Sequence, residues 1–533
     1  MNGSNCITSM KLTLLAFLVQ FCFSAGAQKS EPKVIWGTEF KAPKRSSLDD
    51  IVGWDYTGIY ALKARYGFNS AKYTLEHYDK KFNPTRSYDL ELRQDGVEGK
   101  VELILQLRNK LYLFSSFPDS KTKKRILSVE EIDKKTLQPS GEKQKIAEID
   151  YAGELRSNSG SYQVKVSRDS SKLLIVYNLP FKKNEPEAIG MTVLSDNLKP
   201  MWNKEIKLPF EDELFDLESY RVDNDGDVYL LGLIYNEKRK SKRRGAPNYK
   251  YQIFAYRDKG KTVKEYPVML SDKFITDMQI EVLNNKNLIC AGFYSAKGTY
   301  SIRGTYFLTI DAKTKDIKTK SFKEFGIDFI TQNMTEGQAE KAKRKEEKGQ
   351  ENELYEYDLD RLIVGKDGSA ILLGEQYYVT TQTHTSFVNG RTQSYTSTHF
   401  YYNDIIAVKV DPSGKIEWSE KIAKRQHTVD DGGFYSSYTM AIVKGQLCFI
   451  FNDDPRNVSY SGVGKVVNYR GGKESLVMLV TLDQKGKQRR QPLFSSADLE
   501  VITRPKVCEQ ITNNEVILFG QRRKTQQFAS VTF

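Results

Sequence analysis

Few residue patterns in this chain match familiar chemistry. It has only four histidines, and neither an H-E-x-x-H nor a C-x-x-C motif, so no metal centre of the common kinds is spelled out. The segment "DNDGD", Asp223–Asp227, has the opening of a calcium loop. It lacks the glutamate at the twelfth position and reads as a hairpin turn. "YSSY", Tyr435–Tyr438, is not a nucleophile elbow, which needs G-x-S-x-G. Cys290, Cys448 and Cys508 each sit in or beside an apolar, strand-like run and read as small buried hydrophobes. Carboxylates are plentiful, but the sequence assigns no two of them as an acid/base pair. The expectation is no cofactor, no metal and no catalytic residue, leaning away from an enzyme.

Four stretches could bind rather than react. "YYVTTQTHTSFVNGRTQSYTSTHFYY", Tyr377–Tyr402, has Asn389-Gly390 at its centre, the signature of a two-residue hairpin turn. Pairing about that turn puts Val388 opposite Arg391, Tyr377 opposite Tyr402 and Tyr378 opposite Tyr401. The arm would reach on the order of 20–25 Å beyond its base. In that register His384 and His399 do not pair, which argues against a metal clasp. The second stretch is "KRKSKRR", Lys238–Arg244, basic at six of seven positions. Lys238, Arg239, Lys240, Arg243 and Arg244 suit contact with an anionic surface, and Tyr377, Tyr378, Arg391, Tyr401 and Tyr402 complete the candidate binding set. Thr335–Glu353 is rich in helix formers without an apolar stripe, and reads as a solvated helix or a disordered loop. Asn452–Glu474 is a long Gly- and Tyr-bearing polar loop of the kind that can rim a sugar or peptide site.

The elements that carry these stretches repeat. A short apolar run recurs at intervals of roughly 50 to 80 residues: "IYALKA", "LYLFSS", "LLIVYN", "VYLLGL", "NLICAG", "AILLGE", "LCFIFN" and "VILFGQ". After each of the first seven comes a second strand-like run ending at an acidic turn: Asp79, Asp133, Asp196, Asp258, Asp311, Asp411 or Asp483. Aspartate suits such turns because its carboxylate accepts from backbone amides two residues on. A further strand precedes each apolar run and another follows each Asp turn. Four antiparallel strands per repeat without helical periodicity predict an all-β fold, a β-propeller of eight blades, with seven as the alternative. The last repeat stops one strand short, and Val34–Phe40 could supply it, removing an open sheet edge. A transmembrane barrel is disfavoured because the strands carry Lys and Glu on both parities.

Strands in a propeller blade, a to d, alternate in direction. The b–c and d–a connections therefore emerge on one face and the short a–b and c–d turns on the other. The surplus length lies in b–c and d–a connections, including a helical or disordered insertion at 333–356 and the hairpin at 377–402. One face is loop-decorated, and function is expected there.

Residues 1–27 read as a signal peptide: Lys11, an apolar run, then Ala25-Gly26-Ala27. Residues 28–533 read as one exported domain, periplasmic or extracellular, with no transmembrane span after cleavage. Hydrophobic residues make up 39% and charged residues 28%, enough for a folded core. The formal charge of +13 favours an anionic neighbour, an envelope protein or acidic glycan, and the export signal disfavours nucleic acid.

"VDPSGKIEW", Val410–Trp418, resembles the D-x-x-G-K-x-x-W turn of quinoprotein-type propellers, which repeat a Trp in most blades. This chain has four Trp, so one or two repeats match and quinone binding is not expected. The signal peptide, the repeated Asp turn and the block "ILLGEQYY…YYNDIIAVKVDPSGKIEW" resemble secreted bacterial β-propeller proteins of unassigned function. That resemblance implies fold and not activity. Two functions follow: a non-catalytic binding or scaffold propeller engaging a protein or anionic glycan through its decorated face, or a glycan-active enzyme with carboxylates at the channel mouth. Clustered acids and Arg on the inner strands would favour the enzyme, and an apolar or sealed lining the scaffold.

Overall fold

The computed structural model describes residues 31–533 apart from short internal stretches, the longest being 151–161. The signal-peptide segment, the Asn389-Gly390 turn, and Lys238, Arg239, Lys240 and Arg244 lie outside the described residues.

The protein is a β-propeller. Among the described residues, eight antiparallel sheets of four or more strands follow one another along the chain. Their innermost strands, a, are Ser46–Asp55, Lys100–Leu107, Tyr162–Val166, Phe215–Val222, Phe274–Val282, Tyr357–Val364, Thr439–Val443 and, for the eighth, Glu509–Thr512. The apolar repeats form strand b and are almost wholly buried: Val228–Tyr235 and Leu288–Ser295 show no exposed residue. Strand d alternates, as in Pro200–Glu211 and Ile317–Glu324, because one of its faces meets water.

Eight apolar clusters close the ring, each joining one sheet to the next. Met278 and Ile280 of the fifth sheet, for example, pack with Tyr251 and Ile253 of the fourth. The last cluster brings Phe519 and Phe528 of the eighth sheet against Leu48, Ile51 and Ile59 of the first. The eighth sheet takes its outer strand from the other end of the chain: Lys33–Trp36 pairs antiparallel with Thr525–Thr532, Lys33 opposite Thr532.

The Asp turns hold by the mechanism that their sequence suggests. Asp411 Oδ1 accepts from the backbone N–H of Ser413 (2.8 Å) and Lys415 (2.9 Å), and Asp483 Oδ1 from Lys485 and Lys487. The glycine of the turn also sets the spacing between sheets. Gly486 has φ +80°, and a Cβ there would lie 3.0 Å from the indole of Trp418 in the preceding sheet. Trp418 Nε1 donates to Gln484 O (3.0 Å), and Trp202 repeats the contact on Gly226 O (2.9 Å). The "DxxGKxxW" block is thus an inter-sheet clamp.

Asp223–Asp227 is a hairpin turn between strands a and b. Asp223 Oδ1 accepts from the amides of Asp225, Gly226 and Asp227. The cation among its carboxylates is Lys286, whose ammonium lies 2.7, 2.6 and 3.1 Å from Asp223, Asp225 and Asp227.

The insertion between the fifth and sixth sheets forms two helices, Ile327–Thr331 and Glu336–Glu347. The second opens on a capping box of Thr335 and Gln338 and buries no residue, consistent with its lack of an apolar stripe. The first is docked: Lys421, fully buried on strand d of the sixth sheet, donates to Ile330 O (3.3 Å) and Gln332 O (3.4 Å).

Candidate functional site: the acid-lined channel mouth

Strand a lines the axis of the propeller, and in several sheets it carries a β-bulge at the same place. The register of strand a against strand b slips between Leu48 and Asp50, between Leu217 and Ser219, and between Leu359 and Arg361. In the second sheet Phe114 faces Leu103 while Ser115 faces Val101. The residues left without an opposite number are Asp49, Glu218, Asp360 and Glu102. In the fifth sheet Thr276 is bulged and Asp277 follows it. A bulge re-aims the extra side chain instead of burying it in the ladder. The bulged position therefore turns a carboxylate out of the sheet on four inner strands, in the half of the strand nearer the decorated face.

These acids act on one another in the fourth to sixth sheets. Burial pushes Glu218 up to about 7, helped by the charges of Asp277 and Asp216. Asp277 is pushed up to about 6, by burial and by Asp358, although its Oδ2 accepts from Leu359 N–H (2.9 Å). Asp358 rises to about 6 through burial and then the charges of Glu356 and Glu375, and Asp360 to about 7 through burial and then the Glu375 charge. Glu218, Asp358 and Asp360 are nevertheless solvent-exposed. Deep surroundings with accessible side chains describe the wall of a wet channel. Carboxyls pushed upward by burial and by like charges are candidates for proton transfer.

A buried frame holds Asp360 and connects it to the Tyr-Thr ribbon. Tyr438 OH donates to Asp360 Oδ2 (2.7 Å), and Ser437 Oγ donates to Glu375 Oε2 (2.8 Å). Glu375 Oε1 lies 2.6 Å from the ammonium of Lys424, the two side chains being 5% and 0% exposed. Lys424 also donates to Tyr402 O (2.9 Å), at the ribbon base. "YSSY" is thus a support for the acids, and Glu375, Lys424, Ser437 and Tyr438 are functional candidates that sequence reasoning missed. The far end of the axis is spanned: Arg168, in the a–b turn of the third sheet, donates to Val364 O in the sixth (2.7 Å).

The ribbon is one continuous hairpin, Ala370–Val388 with Arg391–Val410. Its register places Tyr377 opposite Tyr402, Tyr378 opposite Tyr401 and Val388 opposite Arg391. Ring centroids are 4.6 Å apart in the first pair and 4.4 Å in the second. A third strand, Gln426–Val429, pairs beside His399–Tyr402 and adds His427 to the stack, 4.4 Å from Tyr401. His384 stands opposite Tyr395 and His399 opposite Thr380, so the two histidines are not direct partners. Both nevertheless reach Ser397 Oγ, at 3.0 and 3.1 Å, because diagonal neighbours share a face. His399 Nδ1 is 2.9 Å from His427 Nε2, with the rings 17° from coplanar. Among the described residues no three His, Cys, Asp or Glu groups converge to hold a metal ion.

The basic stretch is described only at Lys242–Arg243, which pairs with Ala246–Pro247. The proposed surface of Lys238, Arg239, Lys240 and Arg244 is therefore not brought into any site by the described residues.

No family model and no curated protein matches this chain. Solved structures match at low similarity. A prolyl endopeptidase is 11% identical over 83% of this chain and 46% of its own, with a TM-score of 0.34. The WD40 domain of SCAP from fission yeast is 9% identical, covering 84% of this chain and 97% of its own, TM-score 0.26. NanB, solved with optactamide, is 9% identical over 94% of both chains, TM-score 0.31. This chain spans about half the length of the prolyl endopeptidase it matches.

Proposed function

We propose that the protein engages a glycan at the acid-lined channel mouth and acts on it by general acid/base chemistry. One observation carries this reading: carboxylates at or beside the strand-a bulges of the fourth to sixth sheets lie near enough to raise one another's pKa values, with burial pushing Glu218 and Asp360 up to about 7. An ionised carboxylate accepts hydrogen bonds from sugar hydroxyls, and a protonated one can donate to a glycosidic oxygen. Glycoside cleavage needs two carboxyls in opposite protonation states, and environments that push pKa values upward supply the acid member. Asp360 and Glu218 are the proton-bearing candidates. Asp277, whose Oδ2 already accepts Leu359 N–H, is better suited to hold its place.

The test is a panel of neutral and acidic polysaccharides incubated with wild type, Asp360→Asn and Glu218→Gln. Binding is read by affinity electrophoresis and cleavage by new reducing ends. The reading expects at least one polysaccharide to be bound and cut, with cleavage lost and binding kept in one of the two variants. Binding with no cleavage by wild type would reject the catalytic part, and no binding to any member would reject the whole.

The binding-scaffold reading retains one specific support. Along the ribbon, Phe387 is 75% exposed, Tyr395 63% and Val379 42%, apolar area on an arm that extends beyond the third strand at its base. A cross-linking capture from cell envelope, with the intact protein and with Thr381–Thr398 replaced by a two-residue turn, separates the readings. A protein held only by the intact arm would favour the scaffold.

A further inference from the structure

Across the ring from the acids, the junction of the eighth and first sheets holds an arginine in an unusual setting. Strand a of the eighth sheet is interrupted: Ile502–Thr503 pairs with Gly520 and Gln521, a short turn at Pro505–Val507 bulges out, and Glu509–Thr512 resumes the ladder. Arg504 sits at the break, fixed through its backbone N–H to Phe519 O (2.8 Å). Its Nη1 donates to Ser47 Oγ and to Leu48 O (2.8 Å) on the first sheet. Phe434 covers the guanidinium at 3.7 Å, and Phe519 lies at 6.0 Å.

These contacts fix the plane of the guanidinium but supply no negative charge. Among the described residues Arg504 makes no ion pair, and its Nε is buried without an acceptor. Asp49 is close enough to feel the charge, but its carboxylate bonds Tyr66 OH (3.2 Å). Other deeply set arginines are neutralised in place: Arg303 by Glu324 and Glu346, Arg490 by Asp453. Burial accordingly pushes Arg504 down to about 10, whereas Arg303, with its two carboxylates, is raised. A buried charge without a counter-ion is destabilising unless something supplies one. Nη1 is already used and Nε is enclosed, so the donor left for a ligand is Nη2. A carboxylate there gains a charge-assisted hydrogen bond together with the unneutralised positive charge.

The geometry points to a carboxylate-binding subsite at Arg504, taking the acid group of a uronate-type sugar or similar carboxylated ligand. This rests on the glycan reading for the sugar, but the carboxylate preference stands on Arg504 alone. A ligand whose carboxylate is held at the eighth sheet would present its remaining hydroxyls to the rest of the mouth. The positive charge of Arg504 also answers an apparent conflict, since an acid-lined mouth by itself would repel an acidic glycan.

The test compares glucuronate with its uncharged methyl ester by titration calorimetry, with sulfate and inorganic phosphate as further arms. Wild type is expected to prefer glucuronate over the ester by roughly tenfold or more. Arg504→Gln should bring that ratio close to one. Arg504→Lys, which keeps the charge without the planar fork, should recover only part of it. Asp360→Asn should leave the ratio intact whether or not it abolishes cleavage, so failure of the catalytic reading and failure of this one are distinguishable. The subsite is rejected if wild type binds acid and ester equally, binds neither up to about 20 mM, or binds only sulfate or phosphate. It is also rejected if Arg504→Lys equals wild type, or if a folded Arg504→Gln keeps the preference. Melting temperatures of both variants report folding independently.

Discussion

The Glu375–Lys424 pair offers the sharpest energetic test, because it is almost fully enclosed and its partners are all defined. Substituting Glu375→Gln removes the 2.6 Å counter-charge and leaves the ammonium with Tyr402 O at 2.9 Å and Gln426 Oε1 at 3.3 Å. Two neutral acceptors do not offset the desolvation of a charge that has no exposed surface, and the nearby Asp404 is itself pushed towards its neutral form by burial. Removing one member of such a pair costs about 3–5 kcal/mol. Lys424→Met should cost a similar amount, since Glu375 would keep only Ser437 Oγ at 2.8 Å. The double variant Glu375→Gln/Lys424→Met removes both charges, and replacing a buried pair by neutral groups is often close to neutral. Its loss should therefore be about 3 kcal/mol or more below the sum of the single losses. Equilibrium urea unfolding, followed by far-UV circular dichroism and by tryptophan fluorescence, gives the cycle where the two transitions coincide. Single losses under about 1 kcal/mol, or a double loss equal to their sum, would refute the claim that this pair ties the ribbon base to the mouth.

Glu218 and Asp360 have folded values near 7, above their ordinary values of 4.5 and 3.8, so the folded state binds protons that the unfolded chain has released. They therefore make stability fall as pH rises through roughly 4 to 7. Glu218→Gln should melt higher than wild type at pH 8 and level with it at pH 4, and identical pH profiles would contradict the raised value. Gly486→Ala places a side chain at φ +80° and 3.0 Å from the Trp418 ring, and should cost about 1–3 kcal/mol by denaturant titration. Replacing Thr381–Thr398 by a two-residue turn should change the melting temperature by less than about 3 °C, because most of that segment is exposed and its contacts outside the hairpin are confined to its base, where Thr398 bonds Asp430. A larger fall would mean that the arm braces the propeller.

The repeat was legible because its signals are local. An apolar run buried on both faces and an aspartate bonding the next amides need no knowledge of distant partners. The acid mouth was harder, although its mark is present in "LDDI", "VELI", "LESY" and "LDRL". There an acid follows an apolar residue and breaks the period-two alternation by one position. That slip becomes a bulge only when strand b pairs across it. The histidine line of the ribbon depends on Gln426–Val429 joining as a third strand, which nothing between Tyr377 and Tyr402 announces. Arg504 was hidden because Pro505 divides its strand, and its neighbours Ser47 and Leu48 lie more than 450 residues away in sequence.

The pairing of Lys33–Trp36 with Thr525–Thr532 has a consequence for the order of folding. Sheets one to seven are each built from contiguous chain and can form as synthesis proceeds. The eighth waits for residues near 530 to meet residues near 33, the longest loop closure in the molecule. Loop-closure entropy grows only slowly with length, so the delay is kinetic more than thermodynamic. Until that meeting the first sheet has no neighbour on one side, and Leu48, Ile51 and Ile59 remain uncovered. The same adjacency makes the seam a natural place to splice: a short linker between the two strands, with new ends opened at the exposed 347–351 segment, should give a circular permutant that folds without its slowest step.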